Sequence, residues 1–323
     1  MMDMNQTMKT LQIKRAGLAE VIEAPIPQPG PNEALVQVKE VATCPQWDMH
    51  IYEGRPMFAH EKEIAYPYSP GQPGHEMTGV VVAAGPGSSL QPGQKVAAWK
   101  DAGHHRAGCY AQYVVMKEEH LLPIPDDLPF RRAISLELAM CVASSVLKLK
   151  RYEGIQGLRC GVNGLGPAGL IALQMLLAEG AAEVIGIDPN PQRRQSALAL
   201  GASNCCEPEA ADIGLRGKPG ALDAAIDCVG YPQAVRSLMD RTNKAVALFA
   251  VQRDDYTLRH QGLTVIGYPG HYREAAEYAL QLIVDGKLDF GPLITHVLPL
   301  ERYSDGVELL RKQEAIKICF VPE

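Results

Sequence analysis

The chain has 323 residues, of which 46% are hydrophobic, and its formal net charge is -6 at pH 7. Chains of this length usually fold around more than one hydrophobic core, so two domains are expected. The mildly acidic balance, without a basic block, argues against nucleic acid or an anionic membrane as the main partner.

Localisation is indicated by the apolar runs and by the cysteines. No apolar run is long enough to span a bilayer, and residues 1–10 are polar and not expected to act as a signal peptide. The eight cysteines are scattered, with no repeated spacing and no Cys-x-x-Cys pair. Such usage is typical of reduced cysteines with individual roles. We therefore expect a cytoplasmic protein.

The first predicted region is rich in short strands. Between residue 11 and about residue 140, β-rich runs are separated by Pro and Gly, among them EALVQVKEVATC (33–44), GVVVAAG (79–85), QKVAAW (94–99) and YAQYVVM (110–116). Strands of this length with turn residues between them predict an irregular, barrel-like β domain.

The second predicted region, residues 143 to 268, alternates strands and helices. The segments 158–164 and 183–189 predict strands, and the segments 167–180 and 192–202 predict helices. Further strands are indicated by ALDAAIDCVG, AVALFAV and LTVIGYPG, and the tail carries two amphipathic helices. This alternation is typical of an α/β fold with a doubly wound parallel sheet.

A glycine-rich turn lies between the first strand and the first helix of this region. It consists of Gly164, Leu165, Gly166, Pro167, Ala168 and Gly169. Its three glycines allow a tight turn, the approach of a pyrophosphate to the backbone, and close packing of helix on strand. The free N–H groups of the helix N-terminus then face the phosphates. This strand–turn–helix context predicts a dinucleotide-binding domain.

Asp188 ends the next strand, about twenty residues further on. A carboxylate at that place accepts hydrogen bonds from the adenosine ribose and repels a 2′-phosphate, so NAD(H) is preferred over NADP(H). Arg193 and Arg194 follow closely and would weaken that preference.

Three residues far apart in the chain carry the ligand types of a catalytic zinc: Cys44, His75 and Cys141. Such a zinc takes about three protein ligands and keeps one position open. Each residue also has a structural interpretation, since buried cysteines are common and His75 lies in a Gly/Pro-rich turn before a valine run. The residues alone leave both interpretations open.

Four segments together resemble the medium-chain dehydrogenase/reductase family, the zinc-containing alcohol dehydrogenases. They are TCPQWDMH, PGHEMTGVVVAAG, AMCVASSVLKL and GPLITHVLPLERYSDGVELLRK, and the resemblance runs from about residue 10 to the end. It implies a GroES-like β-barrel catalytic domain over residues 1-142 and 269-323, and a Rossmann NAD(P)-binding domain over residues 143-268.

The same resemblance implies the roles of the site residues. Cys44, His75 and Cys141 become the ligands of one catalytic zinc, and Glu76 becomes a carboxylate able to approach it. Asp48 would orient His75 by accepting from its other ring N–H. Glu137 is the alternative third ligand, because it lies one helical turn before Cys141 on the same face.

The chain departs from the family pattern at two places. The spacing from Cys44 to Asp48 is one residue longer than usual, and Gln46 or Trp47 stands where the proton relay has Ser or Thr. His50 is the candidate for the last relay group, reached through water, or else a plain surface residue. Between residues 94 and 115 only one cysteine occurs, so no structural zinc is expected. His104 and His105 in that loop are candidates for substrate or metal contact.

The resulting functional hypothesis is a zinc- and NAD(H)-dependent dehydrogenase that interconverts an alcohol or polyol and its carbonyl. Two alternatives remain: a zinc-free NADPH-dependent quinone or enone reductase of the same fold, and a non-catalytic NAD-binding protein. A homodimer or homotetramer is implied by the resemblance, with LTVIGYPG as a pairing edge. Substrate specificity is assigned to large side chains, among them Trp47, Tyr52, Phe58 and Trp99.

Overall fold

The structure is a computed structural model that describes residues 6–56, 63–101, 103, 106–209, 213–251 and 258–323. The chain forms two compact units, one of Met1–Leu138 with Phe290–Glu323 and one of Ala139–Asp289. The α/β fold class predicted from the sequence is confirmed.

The first unit is built mainly of strands. Its elements are β1 (Thr7–Arg15), β2 (Leu18–Pro25), β3 (Glu33–Ala42), α1 (Pro45–Glu53), β4 (Glu76–Ala84), β5 (Lys95–Ala98), β6 (Tyr113–Lys117), β7 (Leu121–Pro123), α2 (Phe130–Ala133) and the start of α3 (Leu136–Glu153). The chain then forms the second unit and returns to the first with β14 (Ile294–Pro299), α8 (Tyr303–Arg311) and β15 (Lys317–Val321).

The sheet of this unit places its last strand against its third. The strand order is β14-β15-β3-β4-β5-β7, β6 also pairs with β3, and β1 and β2 form a separate antiparallel pair. Strand β3 buries Leu35, Val36 and Val38, as its apolar composition predicts. Gly79 of β4 lies where a side chain would collide with the Gln37 carbonyl, so the two strands approach closely only with glycine there.

The second unit is a parallel sheet with helices between its strands. Its elements are the rest of α3, then β8 (Arg159–Asn163), α4 (Pro167–Ala178), β9 (Glu183–Ile187), α5 (Pro191–Ala199), β10 (Asn204–Cys206), β11 (Leu222–Asp227), α6 (Pro232–Met239), β12 (Thr242–Leu248), β13 (Thr264–Gly267) and α7 (Arg273–Val284).

The strand order of this sheet is β10-β9-β8-β11-β12-β13, with every described pair parallel. The chain starts at β8, winds outward to β10 and returns to β11, so the winding direction reverses between β8 and β11. This confirms the doubly wound sheet. Helix α4 buries every residue from Gly169 to Leu176, which explains why it is apolar on all sides.

The compact units divide at other residues than the predicted domains. The predicted boundaries were 142/143 and 268/269, whereas the units divide inside α3 and after α7. Helix α7 belongs with the parallel sheet of the second unit. Its Tyr278 hydroxyl donates at 2.8 Å to Glu179, the residue just after α4. The backbone N–H of Asp289 also donates to Gln174 of α4, at 2.8 Å.

Within the described parts of the chain, no helix combines the length and the apolar character that a membrane crossing requires. All eight cysteines are described, and each is a free thiol.

The buried thiols of the two central sheets should resist alkylation. Burial raises the pKa of Cys160 on β8 and of Cys319 on β15 to about 12 in each case. Because the thiolate is the nucleophile, we expect iodoacetamide at pH 8 to leave both unmodified in the native protein, while the partly exposed Cys205 reacts first. Peptide mass spectrometry measures this, with guanidinium-unfolded protein as the control. Native labelling of Cys160 as fast as Cys205 would contradict the burial.

Candidate active site

Cys44 is held at the N-terminus of α1 by two neighbouring groups. It is the N-cap residue, Pro45 follows as the first helical residue, and its N–H donates to Asp48 Oδ2 at 2.8 Å. The preceding Thr43 exchanges hydrogen bonds with Ile318 of β15 through its N–H and its hydroxyl, both at 2.9 Å. The thiol is therefore carried on backbone that the C-terminal strand fixes.

His75 lies between the turn that ends at Gly74 and the first residue of β4. Its Nδ1 donates to the Pro73 carbonyl at 2.9 Å, and this bond assigns the proton to Nδ1 and leaves Nε2 as the atom for a metal. The prediction that Asp48 orients His75 by accepting this proton is wrong. A carbonyl two residues away does so, which is a local contact that motif comparison does not show.

Asp48 has a different set of partners. Its Oδ1 accepts from the hydroxyls of Tyr110 at 2.7 Å and Tyr303 at 2.8 Å, and its Oδ2 accepts from the Cys44 N–H. Burial raises the pKa of Asp48 to about 6, while these hydrogen bonds favour the charged form. Asp48 thus links α1 to α8 and supports the backbone of Cys44.

Metal-ligating atoms converge on His75 within the first unit. One atom each from Cys44, His75 and Glu76 lies within 4.8 Å of the other two, and Glu137 Oε2 lies 3.7 Å from His75 Nε2. Burial by itself lowers the pKa of His75. The hydrogen bond to Cys44 and the charges of Glu137 and Glu76 outweigh it, so the pKa is well above its usual value. The cluster of sulfur, nitrogen and oxygen donors therefore favours a cation and suits zinc.

Glu76 is already paired with a lysine. Lys317 Nζ lies 2.7 Å from both carboxylate oxygens of Glu76, and both side chains are 0% exposed. Burial raises the pKa of Glu76, and the charge of Lys317 opposes that rise. Sequence reasoning missed this pair, although a lysine inside the apolar run IKICFV was a signal for it.

The two candidates for the third ligand have different surroundings. Glu137 approaches His75 within the first unit, as described above. Cys141 is buried one turn later on α3 and belongs to the second unit, where its sulfur lies within 4.8 Å of a His271 ring nitrogen. The ligand role of Cys141 stays a prediction.

The glycine-rich turn has the geometry that a pyrophosphate needs. Gly164 has φ of +87°, and its N–H donates to the Ile187 carbonyl at 2.8 Å. Gly166 caps α4 and has open space where a side chain would lie, whereas a side chain at Gly169 would collide with the Gly164 carbonyl. Pro167 and Ala168 form the first turn of α4, so this helix begins at the turn as predicted.

Asp188 is buried at the end of β9. Its Oδ2 accepts from the Leu165 N–H and its Oδ1 from the Asn190 N–H, both at 2.8 Å, which ties the glycine-rich turn to the start of α5. Arg193 lies 3.7 Å from the Asp188 carboxylate. Arg194 donates to the carbonyls of Asp188 and Pro189.

The other predicted residues fall in three groups. His50 on α1 donates from Nδ1 to the Pro56 carbonyl at 3.2 Å. Trp47 and Trp99 are buried, and the Tyr52 hydroxyl donates to the Gly17 carbonyl at 2.9 Å. The role of these three side chains in substrate specificity stays a prediction. The remaining candidates lie outside the described residues: Phe58, His104 and His105.

Comparisons with known proteins agree with this geometry. Residues 30–126 match the family described as alcohol dehydrogenase GroES-like domain, and residues 167–283 match the family described as zinc-binding dehydrogenase. An L-threonine 3-dehydrogenase of Bacillus subtilis is 28% identical over 354 aligned positions, covering 98% of this chain and 99% of that protein.

Two solved structures show the same fold. The 2R,3R-butanediol dehydrogenase of Bacillus subtilis has a TM-score of 0.83 at 23% identity, and the match covers 98% of this chain and 100% of that one. A protein described as a short chain alcohol dehydrogenase from Escherichia coli CFT073, complexed with NADH, has a TM-score of 0.80 at 20% identity, and the match covers 98% of this chain and 100% of that one. The chain belongs to the zinc-containing medium-chain dehydrogenase/reductase family and is an enzyme of the alcohol dehydrogenase type.

Loss of Lys317 should destabilise the first unit strongly. Lys317→Met leaves the Glu76 carboxylate buried without its partner, so we expect the free energy of unfolding to fall by about 3–5 kcal/mol. Guanidinium denaturation measures this change.

Two further variants serve as controls for the buried pair. Lys317→Met/Glu76→Gln removes both charges and should recover most of the loss. Lys312→Met removes an exposed lysine near Glu308 and should leave the denaturation midpoint nearly unchanged. Equal midpoints for Lys317→Met and Lys312→Met would show that the buried pair contributes nothing.

Proposed function

We propose that the protein interconverts a small primary or secondary alcohol, or a polyol, and its carbonyl compound, with one zinc ion and NAD(H). The observation that carries this proposal is the buried donor cluster around His75, together with the glycine-rich turn of the second unit. A zinc-free reductase has no use for such a cluster, and its presence therefore favours the zinc enzyme over that alternative.

The proposed zinc ligands are Cys44, His75 and Glu137, with Cys141 as the alternative to Glu137. Glu137 is preferred because its carboxylate faces His75 Nε2, whereas both oxygens of Glu76 are held by Lys317. Bound zinc supplies polarisation of the alcohol oxygen and a lower pKa of its proton. The Pro73 carbonyl keeps His75 in the tautomer that ligation needs, and Lys317 holds Glu76 beside the ligands.

Helix α1, which follows Cys44, offers no Ser or Thr hydroxyl for a proton relay. Gln46 and Trp47 occupy the relevant turn of α1, and the Thr43 hydroxyl accepts from the Ile318 N–H. His50 remains the proposed last proton acceptor, through water. Since its Nδ1 is committed to the Pro56 carbonyl, a relay through His50 would use Nε2.

NAD(H) is the proposed cofactor, and it carries the hydride while the protein orients it. Support comes from the Asp188 carboxylate. It is held by two N–H groups and, with about four lone-pair positions, retains capacity for ribose hydroxyls. Its charge disfavours a 2′-phosphate, and Arg193 at 3.7 Å weakens that preference.

The substrate class is supported by the relatives. The Bacillus subtilis protein is named for L-threonine, whose 3-hydroxyl is a secondary alcohol, and a structural neighbour is named for 2R,3R-butanediol. We propose a secondary alcohol as the first substrate to test, with L-threonine, 2,3-butanediol and polyols in one panel. Tight NAD(H) and zinc binding without turnover on that panel would favour the non-catalytic alternative.

A homodimer through β13 is the proposed assembly, with a homotetramer as the alternative. Among the strands that the structure describes, β13 is the last in its sheet, so one side of its backbone has no strand partner there and can pair with another copy. A cytoplasmic location is also proposed, supported by the eight free thiols.

Zinc content should distinguish the ligands. Protein purified without chelator or metal-affinity resin is expected to hold about one zinc per chain. Cys44→Ser and Glu137→Gln should lose most of it, because each removes a metal-binding atom, whereas Cys141→Ser should retain it. Elemental analysis gives the ratio. Zinc lost in Cys141→Ser and retained in Glu137→Gln would assign the third position to Cys141.

Absence of zinc from the wild-type protein would contradict the metal proposal altogether. With cofactor binding intact, NADPH-dependent reduction of an enone by that metal-free protein would establish the zinc-free reductase instead.

Cofactor choice should depend on Asp188. Asp188→Asn removes the charge but keeps hydrogen-bonding atoms, so we expect NAD+ affinity to fall by about tenfold and the preference over NADP+ to shrink. Titration calorimetry with both cofactors measures this. Arg193→Gln should act in the opposite sense on NADP+ and serves as the matched comparison. Tighter binding of NADP+ than of NAD+ by the wild-type protein would overturn the assignment.

A further inference from the structure

Two buried side chains face each other where the winding of the second unit's sheet reverses. Asn163 is the last residue of β8 and Asp227 the last of β11, and they are paired in register across these neighbouring parallel strands. Dinucleotides bind outside the carboxyl ends of the strands at such a reversal point. Asn163 and Asp227 therefore lie at the carboxyl edge from which the cofactor is expected to be bound.

The two side chains are directly bonded. Asn163 Nδ2 donates to Asp227 Oδ1 at 3.0 Å, and the Gly230 N–H donates to Asp227 Oδ2 at 2.9 Å. The backbone continues the link, since the Cys228 N–H donates to the Asn163 carbonyl at 2.8 Å. Asp227 is fully buried, and burial raises its pKa while the N–H donors oppose the rise.

The same aspartate also holds a third segment. Its carbonyl accepts from the N–H groups of Phe249 at 3.0 Å and Ala250 at 3.1 Å, just after β12. The glycine-rich turn packs against the loop after β11, because a side chain at Gly164 would come within 2.6 Å of Val229 Cγ2. The side chain of Asp227 thus fixes residues 228–230 and its main-chain carbonyl fixes residues 249–250, while the glycine-rich turn packs against residue 229.

These three segments have a clear order along a bound dinucleotide. Asp188, at the end of β9, marks the adenosine side, and Gly166 at the start of α4 marks the pyrophosphate. The nicotinamide half must then extend away from β9, toward the loops that follow β11 and β12. Those are the loops that Asp227 holds.

We propose that Asn163 and Asp227 form a clamp that positions the loops after β11 and β12 for the nicotinamide half of the dinucleotide. The clamp rests on the proposed function only in requiring that the second unit binds a dinucleotide. Both members are positioning residues, since they act through the loops they hold.

A matched control lies at the other end of the same strand pair. Asp223 of β11 accepts from the Arg159 N–H of β8 at 3.0 Å, which makes a side-chain link between the same two strands at the amino edge of the sheet. Its loss weakens the strand pair without touching the cofactor edge. Asp223→Ala removes this acceptor and therefore reports what a merely structural role would do.

The test compares binding of NAD+ and of 5′-AMP, which reports the adenosine side alone, by titration calorimetry. Asn163→Leu removes the donor and leaves Asp227 Oδ1 unpaired, so we expect NAD+ affinity to fall by about tenfold while AMP affinity changes by less than about twofold. Asn163→Asp/Asp227→Asn reverses donor and acceptor, keeps an acceptor for the Gly230 N–H, and should restore NAD+ affinity. Asp223→Ala should lower the melting temperature and leave both affinities unchanged.

Each other outcome has a definite meaning. Unchanged NAD+ affinity in Asn163→Leu, an equal fall for NAD+ and AMP, or failure of the reversed pair to restore binding overturns the clamp. If Asn163→Leu does not fold, Asn163→Asp removes the donor, keeps the shape of the side chain and decides by the same comparison. A wild-type protein that binds no dinucleotide overturns the clamp and the cofactor proposal together. Normal NAD+ binding without alcohol turnover counts against the proposed function alone.

Discussion

Burial of negative charge around His75 is the constraint on which the first unit depends. Asp48, Glu76 and Glu137 are all buried there, and Lys317 is the one buried lysine among the described residues. A buried carboxylate is costly unless hydrogen bonds or a cation compensate it. The two tyrosine hydroxyls satisfy Asp48, Lys317 satisfies Glu76, and the Glu137 carboxylate and the Cys44 thiol lie beside His75. Cys44, His75 and Glu137 are the proposed zinc ligands.

Glu76 and Glu137 differ in the groups that their carboxylates face. Glu76 is adjacent to His75 in sequence, yet both of its oxygens are engaged by a cation that the fold supplies. Glu137 lies more than sixty residues away, and its oxygen approaches His75 Nε2. Because β15 carries Lys317 and also bonds Thr43 beside Cys44, the C-terminal strand stabilises the cluster at two places.

Sequence reasoning predicted the features that depend on local pattern. Periodicity predicted the parallel sheet, and the strand–turn–helix context of Gly164–Gly169 predicted the geometry of the turn, because each depends on residues close in the chain. It missed the pairing of Glu76 with Lys317, which are 241 residues apart. It also assigned the wrong partner to His75. The partner is a backbone carbonyl, which every residue carries, so the sequence does not indicate which one accepts the hydrogen bond. The choice between Glu137 and Cys141 as third zinc ligand depends on where their side chains point, and their four-residue spacing on α3 does not determine that.

Both units use one device to place their working loops. A short carboxylate accepts the N–H of a nearby backbone segment: Asp48 in the first turn of α1 that of Cys44, Asp188 just after β9 that of Leu165, and Asp227 at the end of β11 that of Gly230. The aspartate side chain is short enough to have few conformations, and a charged acceptor forms a stronger hydrogen bond than a neutral one. Backbone placed in this way keeps its position whichever side chains line the loop. Side chains on such loops can therefore differ, and change what the loops contact, while these backbone N–H groups stay in place.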